Sequence, residues 1–373
     1  MRTRHKVQSI LTTIAIAAMG AFAATALGLP AGVLVGATLA VAMASWANVT
    51  LLLPIALRNM AFAALGMTLG SGITPDLLSD MARWPLALVI LPVALIAMTL
   101  AALTVLRLCT PLRGPTALLA TSPGALSYAL ALAEDRAGDS AQGRAINTRT
   151  ANARPADLQA VDTQAVAGLQ SLRLVMITVL LPPIVAWFNP DTGGANTTRT
   201  VAVPGIGIAT SLALLCAALA LGWVLARLRL PAAWLFGGFL VSLFAHVAGF
   251  VEGRPFEAVT VAAFVLIGAL VGLRFGASIA KTDLARLIGA GVVATILATG
   301  TAALLAWPVA SALDLPFGQV WVAYAPGGVE AMAAIGFALG YDPVFIALHH
   351  IARLLLLAVA LPLLLATSGR RNA

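Results

Sequence analysis

The chain has 373 residues, of which 61% are hydrophobic and only 10% charged. Soluble domains carry about 25% charged residues, and no soluble core could hide this much apolar surface, so lipid must be the solvent for most of it. The net charge of +8 does not point to nucleic acid, because the basic residues lie mostly in short segments between apolar runs, where they set membrane orientation.

In chain order the first half offers six apolar runs, at roughly 7–29, 30–46, 51–70, 84–106, 115–133 and 166–188. Residues 1–6 and the run behind them resemble a signal peptide, with AFA at 21–23 in a cleavage-like position. The second half has its own apolar run before the matching point, at 204–226, so the first run reads as a retained transmembrane helix. The remaining runs of the second half are at about 231–250, 256–273, 284–308, 318–340 and 343–366. The segment 134–165 is the long polar stretch. Its centre, 140–156, holds three arginines, no acid and almost no large apolar residue, which predicts a mobile loop. It reads as a loop elaboration, with a regulatory or partner-binding arm as the alternative.

An internal repeat underlies this order. Leu29-Pro30-Ala31 matches Leu230-Pro231-Ala232, and Gly36 matches Gly237, at an offset of 201. The GxxxG pair Gly66/Gly70 matches Gly268/Gly272 at 202, and Pro123-Gly124 matches Pro326-Gly327 at 203. Arg173 and Leu181-Pro182 match Arg353 and Leu361-Pro362 at only 180, so the first half carries an insertion of 23 residues within 134–165. Two membrane repeats follow, 1–188 and 204–366. In each, Ser122-Pro123-Gly124 or Pro326-Gly327-Gly328 interrupts the fifth run near its middle, where proline lacks an N–H and glycine weakens the helix.

Arginine placement selects a topology. With all twelve runs spanning, Lys and Arg divide nine to ten between the two sides. With each fifth run dipping in and returning, every half crosses five times and the second half is inverted. Sixteen basic residues then lie inside and three (Arg83, Arg199 and Arg254) outside, with Arg58, Arg173 and Arg353 inside apolar runs. The positive-inside rule prefers the second arrangement. The expected fold is therefore an all-α polytopic membrane protein of two inverted repeats of about five transmembrane helices. Each repeat contains a re-entrant or broken PG-bearing helix, as in many secondary transporters. The alternative is that the PG pairs kink two spanning helices. The expected location is a bacterial inner membrane, with both termini and the 134–165 loop cytoplasmic.

Charged residues in apolar runs point to function, because lipid penalises them. Glu330 follows the break in YAPGGVEAM, and His349 and His350 precede Arg353 by four and three residues, on one side of the helix. Gln170 and Arg173 keep that three-residue spacing in the first half, and Ser127 stands where Glu330 does. The candidate solute site is Glu330, Arg353, Arg173, His350, Gly327, Gly124 and Ser127. A Glu330–Arg353 ion pair is expected, either as a tie between hairpin and helix or as part of that site. The histidines read as polar packing residues or as ligands, Arg58 as a snorkelling side chain, and the GxxxG pairs as close-packing faces. Three arginines against one glutamate in the apolar runs suit an anionic solute. Cys109 and Cys216 stand apart with no CxxC or metal-like spacing, and packing is their expected role.

These residues resemble the AbrB membrane-protein family, which carries an internal duplication and is often labelled an ammonia monooxygenase or a transcriptional regulator. The resemblance rests on Leu29-Pro30-Ala31-Gly32 and Leu230-Pro231, the glycine pair Gly268/Gly272, Pro326-Gly327-Gly328 with Glu330, Asp342-Pro343 and His349-His350 with Arg353. The first half departs from it at Ala125 and Ser127 and by its insertion. The resemblance implies a membrane protein associated with regulating gene expression, distinct from the small soluble DNA-binding regulator sharing the name. Monooxygenase chemistry needs clustered His and carboxylate ligands. With four histidines, of which His5 is terminal and His246 isolated, no metal, cofactor or enzymatic activity is expected. No DNA-binding module is recognisable either. The leading expectation is a secondary transporter of a small solute with an indirect effect on expression; a membrane-bound regulator or sensor without transport is the alternative. The partners expected are the bilayer and a small solute, with homo-oligomerisation left open.

Overall fold

The structure is a computed structural model that describes residues 2–72, 84–112, 114–123, 161–188, 205–228, 230, 232–279 and 284–370. Every regular element among them is a helix. In chain order these are α1 (Arg2–Ala26), α2 (Gly32–Trp46), α3 (Ile55–Gly70), α4 (Pro85–Cys109), α5 (Gly114–Thr121), α6 (Thr163–Phe188), α7 (Ile208–Arg227), α8 (Ala233–Val247), α9 (Glu257–Ile279), α10 (Leu284–Leu313), α11 (Phe317–Tyr324), α12 (Val329–Ala338) and α13 (Pro343–Arg370). Seven of them, α1, α4, α6, α7, α9, α10 and α13, are long and apolar enough to cross a membrane. The chain is a polytopic membrane protein.

Burial is arranged for lipid rather than water. Phe22 and Trp187 are 78% and 84% exposed, while Gln170, His349, His350 and Arg353 are fully buried. An apolar exterior around a polar interior needs hydrocarbon outside and hydrogen-bond partners within.

The two halves repeat element by element. α2 and α8 have the same length at an offset of 201, α5 and α11 the same length at 203, and α6 and α13 start 180 apart. The residue that enters α2, Ala31, has φ 53°, and its counterpart Ala232, entering α8, has φ 51°. Alanine adopts this left-handed conformation at a cost of roughly 1–2 kcal/mol, so its recurrence after Leu-Pro marks a turn that both halves must make.

The halves exchange partners. α3 packs on α8, and α2 packs on α9. A methyl group added at Gly268 would lie 2.8 Å from the Leu34 carbonyl, and one at Gly272 would lie 2.7 Å from that of Thr38. In the other half a methyl on Gly70 would lie 2.5 Å from the Phe239 carbonyl, and one on Gly66 would overlap that of Leu235. Leu34 and Leu235, and Thr38 and Phe239, are each 201 apart. The GxxxG pairs are therefore close-packing faces, and each serves the opposite half. In both pairs the contacts advance together along the two helices, so α3 runs with α8 and α2 with α9. The Thr68 hydroxyl, near the end of α3, lies 3.2 Å from that of Thr260, near the start of α9.

α1 joins this group through Gly20 and Gly36, and α7 through Gly222 and Gly237. A second group forms beside it, in which α4 packs along its counterpart α10, and α11, α12 and α13 pack on one another. Its centre is the largest apolar core, which includes Trp84, Leu91, Met98, Tyr324, Met332 and Phe345.

Candidate functional site

The fifth apolar run of the second half is broken where Pro326-Gly327-Gly328 stand. α11 ends at Tyr324, Ala325 has ψ 140°, Gly328 has ψ 150°, and α12 begins at Val329. The chain then reverses. At the start of α11 the Gln319 carboxamide oxygen accepts from the Asp342 amide at 3.1 Å, so residues on either side of the α11–α12 pair meet. Farther along, Gly336 of α12 faces the Ile346 side chain, while the break itself lies level with Arg353. α11 and α12 thus form a hairpin whose two ends lie at the start of α13. Asp342 also caps α13, its Oδ1 accepting from the Val344 and Phe345 amides at 2.8 and 3.2 Å.

The tip of the hairpin is held by α13. Arg353 Nη1 donates to the Ala325 carbonyl at 2.7 Å, and Nη2 donates to the Gly327 carbonyl. These carbonyls lie at and just beyond the end of α11, where helical partners run out and the helix dipole favours a cation. His350 bonds to the last turn of α11, with Nε2 3.1 Å from the Val322 carbonyl and Nδ1 against Arg353 Nη2. A guanidinium only donates, so Nδ1 must accept and Nε2 carries the proton toward Val322. The network assigns a neutral imidazole in one tautomer. His349 bonds its own helix at Phe345 O, 2.7 Å away, with its ring 4.1 Å from that of Phe345.

The first half repeats this arrangement. Arg173 Nη1 and Nη2 donate to the carbonyls of Thr121 and Ser122 at 3.2 and 2.9 Å. Gln170 Nε2 donates to Leu119 O at 2.6 Å, and Leu119 is the counterpart of Val322. Thr116 Oγ1 accepts from the Asp162 amide at 3.2 Å, as Gln319 accepts from that of Asp342. Asp162 in turn caps α6 through the Ala165 amide at 2.9 Å. The two arginines are near enough for their charges to interact, and the Nε of each is buried with no hydrogen-bond partner among the described residues.

The family model described as transition state regulatory protein AbrB matches residues 1–142 and 156–368, in two copies. The chain belongs to the AbrB family. A comparison with curated proteins returns no match.

Of the site residues expected in this AbrB chain, Arg353, His350 and Gly327 are brought together at the tip of the α11–α12 hairpin, and Arg173 holds the end of α5 close enough for its charge to act on Arg353. Gly124 and Ser127 lie outside the described residues. The expected Glu330–Arg353 ion pair is not formed. Arg353 uses its two Nη groups on Ala325, Gly327 and His350, while half-buried Glu330 folds back over Gly328. Its Oε2 is 3.6 Å from the point where a side chain on Gly328 would begin, and a Leu174 methyl from α6 is 3.8 Å from the same point. Arg58 bonds its neighbour Asn59 Oδ1 at 3.2–3.3 Å and takes no part in the hairpins. The roles of Thr116, Asp162 and Gln319 were not anticipated. The 203 and 180 offsets, applied to every polar residue, would have paired them. Among the described residues no group of three His, Cys, Asp or Glu side chains gathers as metal ligands do.

Proposed function

We propose that this protein is a secondary transporter of a small anionic solute in a bacterial inner membrane, built as two inverted repeats whose hairpins are re-entrant. The observation that carries the reading is Arg173 and Arg353, two buried guanidiniums from equivalent helices, each bonded at the end of a short helix and near enough for their charges to interact. Two neighbouring cations with no acid paired to them among the described residues are costly in a lipid-embedded core. A bound anion would relieve that cost, and non-helical backbone at such depth suits the lining of a cavity.

The exchanged packing of α2, α3, α8 and α9 supports inversion. α3 runs with α8, the counterpart of α2, so if α2 and α3 cross in opposite directions the halves are inverted. Adding α2, α3 and α8 to the seven long helices gives ten crossings, five per half. The arginine distribution supports a cytoplasmic position for both termini and the 134–165 loop. Alternating access follows from moving the α4/α10 group, which carries α5 and the α11–α12 hairpin, against the group built on α2, α3, α8 and α9. In this reading the protein has no enzymatic activity, does not touch nucleic acid, and affects expression only through the solute it moves. A membrane regulator acting without transport is the competing reading, favoured by the family description.

Reconstitution tests the two. Proteoliposomes should exchange small organic anions and not cations, and Arg173→Gln should remove the exchange while 140–156 can be deleted without loss. Loss of a regulatory output on that deletion, with no anion exchanged by the intact protein, would overturn the transport reading.

A further inference from the structure

In each half the end of a short helix is held by an arginine and by a second donor three residues before it, and that second donor differs in kind. Where Gln170 donates an amide N–H to Leu119 O, His350 donates an imidazole N–H to Val322 O. The amide cannot titrate and the imidazole can. We propose that His350 is a proton-binding site, and that a proton bound there releases the tip of the second hairpin from α13 while the first stays latched. This deepens the transport reading by making the proton the coupling ion, and it rests on that reading only for the movement of protons.

The argument is one of donors and acceptors. Neutral His350 donates from Nε2 to Val322 O and accepts at Nδ1 from Arg353 Nη2. A proton arriving at Nδ1 turns that acceptor into a donor, so an N–H of imidazolium faces an N–H of guanidinium. One hydrogen bond is lost and a repulsion between two buried cations replaces it. Arg353 can escape only by leaving the Ala325 and Gly327 carbonyls, and these two bonds fix the tip. Among the described residues, the charged and titratable groups around the imidazole offer no other route. Arg353 and His349 come from its own helix. Tyr324 of α11 has its ring 6.0 Å from that of His349 and its hydroxyl committed to Ala87 O at 2.7 Å. Glu330 of α12 is folded over Gly328, and Arg173 of α6 is a further cation. α5 carries no titratable residue, and α4 has only Arg107 and Cys109 in its last turn. Proton binding at His350 and anion binding beside the arginines would assist each other, since each offsets charge brought by the other.

The test uses the full chain in lipid nanodiscs, with nitrogen-15 histidine NMR and hydrogen exchange at 325–330 corrected for intrinsic pH dependence. Acidification should convert one buried histidine from singly to doubly protonated, with a parallel loss of protection at the hairpin tip. His350→Gln reproduces the first half's solution, so it should fold, keep its protection and lose the pH response. A pH response that persists in His350→Gln, or an imidazole that stays neutral until the protein unfolds in acid, overturns the proposal. Should His350→Gln fail to fold, Gln170→His decides the matter. A new pH response in the first hairpin supports the mechanism, and its absence in folded protein refutes it. Proteoliposomes with trapped pyranine then separate the two claims. Proton entry in wild type and not in His350→Gln supports coupling, whereas an intact titration without proton entry overturns the transport reading and leaves the proton site standing.

Discussion

Arg173 and Arg353 make the same bond in opposite halves, the first to the Ser122 carbonyl at 2.9 Å and the second to that of Ala325 at 2.7 Å. The donors are 180 residues apart and the acceptors 203, so a 23-residue insertion has not displaced either contact.

That relationship predicts what the arginines hold. Arg353→Gln leaves two buried carbonyls without donors, each worth about 1–3 kcal/mol, and Arg173→Gln does the same at Thr121 and Ser122. Both variants should lower the melting temperature in detergent clearly. Glu330→Gln alone should stay within about 0.5 kcal/mol of wild type, because Glu330 does not bond Arg353. The double change Glu330→Gln/Arg353→Gln should be no more stable than Arg353→Gln. Rescue in the double variant would mean that Glu330 and Arg353 are paired in the wild type, against the structure.

The exchanged glycines predict a second pattern. Alanine at Gly268 or Gly272 forces apart backbones already in contact, at roughly 1–3 kcal/mol each. Gly300, on α10, faces nothing within 4 Å, so Gly300→Ala should be neutral or stabilise by up to about 1 kcal/mol through helix propensity. Thermal melts of the three variants check the contrast, and equal melting temperatures would show that the glycine faces are not where the halves join.

How much of this was legible beforehand depends on the kind of interaction. The duplication, the break at Pro326-Gly327-Gly328 and the glycine faces were readable, because glycine, proline and spacing act locally. The Glu330–Arg353 pair was misassigned because sequence reveals side-chain charges but not which backbone carbonyls a broken helix leaves unsatisfied. Ala325 and Gly327 supply the acceptors that a carboxylate was expected to give. The glycine pairs announced a close contact without naming the partner, since Leu235 and Leu34 contribute only their carbonyls and any residue has one. Gln170 and His350 looked unrelated because an amide and an imidazole share nothing but a donor N–H.

The hairpin tip predicts a difference between adjacent glycines. A side chain on Gly327 would lie 2.6–2.7 Å from the Met332 side chain, whereas one on Gly328 meets only Glu330 and Leu174 at 3.6 and 3.8 Å. Gly327→Leu should abolish solute exchange while the protein still inserts and purifies. Gly328→Ala should retain most of it. Membrane-fraction blots and flux measured in parallel distinguish a blocked tip from a failure to fold.

Topology is the last prediction. After Cys109 and Cys216, both exposed, are replaced by serine, single cysteines at Ser140 and Thr197 should label from opposite sides of the membrane. Ser140 is expected in the cytoplasm, following the sixteen-to-three division of basic residues. Labelling of both positions by an impermeant reagent added outside intact cells would end the inverted arrangement.

The exchange of partners between α3 and α8, and between α2 and α9, also changes what counts as the folding unit. The glycine face of each half is satisfied only by the other half, so a single repeat would be left with a bare seam, and the contact has the reciprocal form of a twofold homodimer. The protein is in effect a dimer written on one strand. Cut between Phe188 and Ile208 and produced as two polypeptides, it should still find its own complement, because the seam and not the linker carries the instruction to assemble.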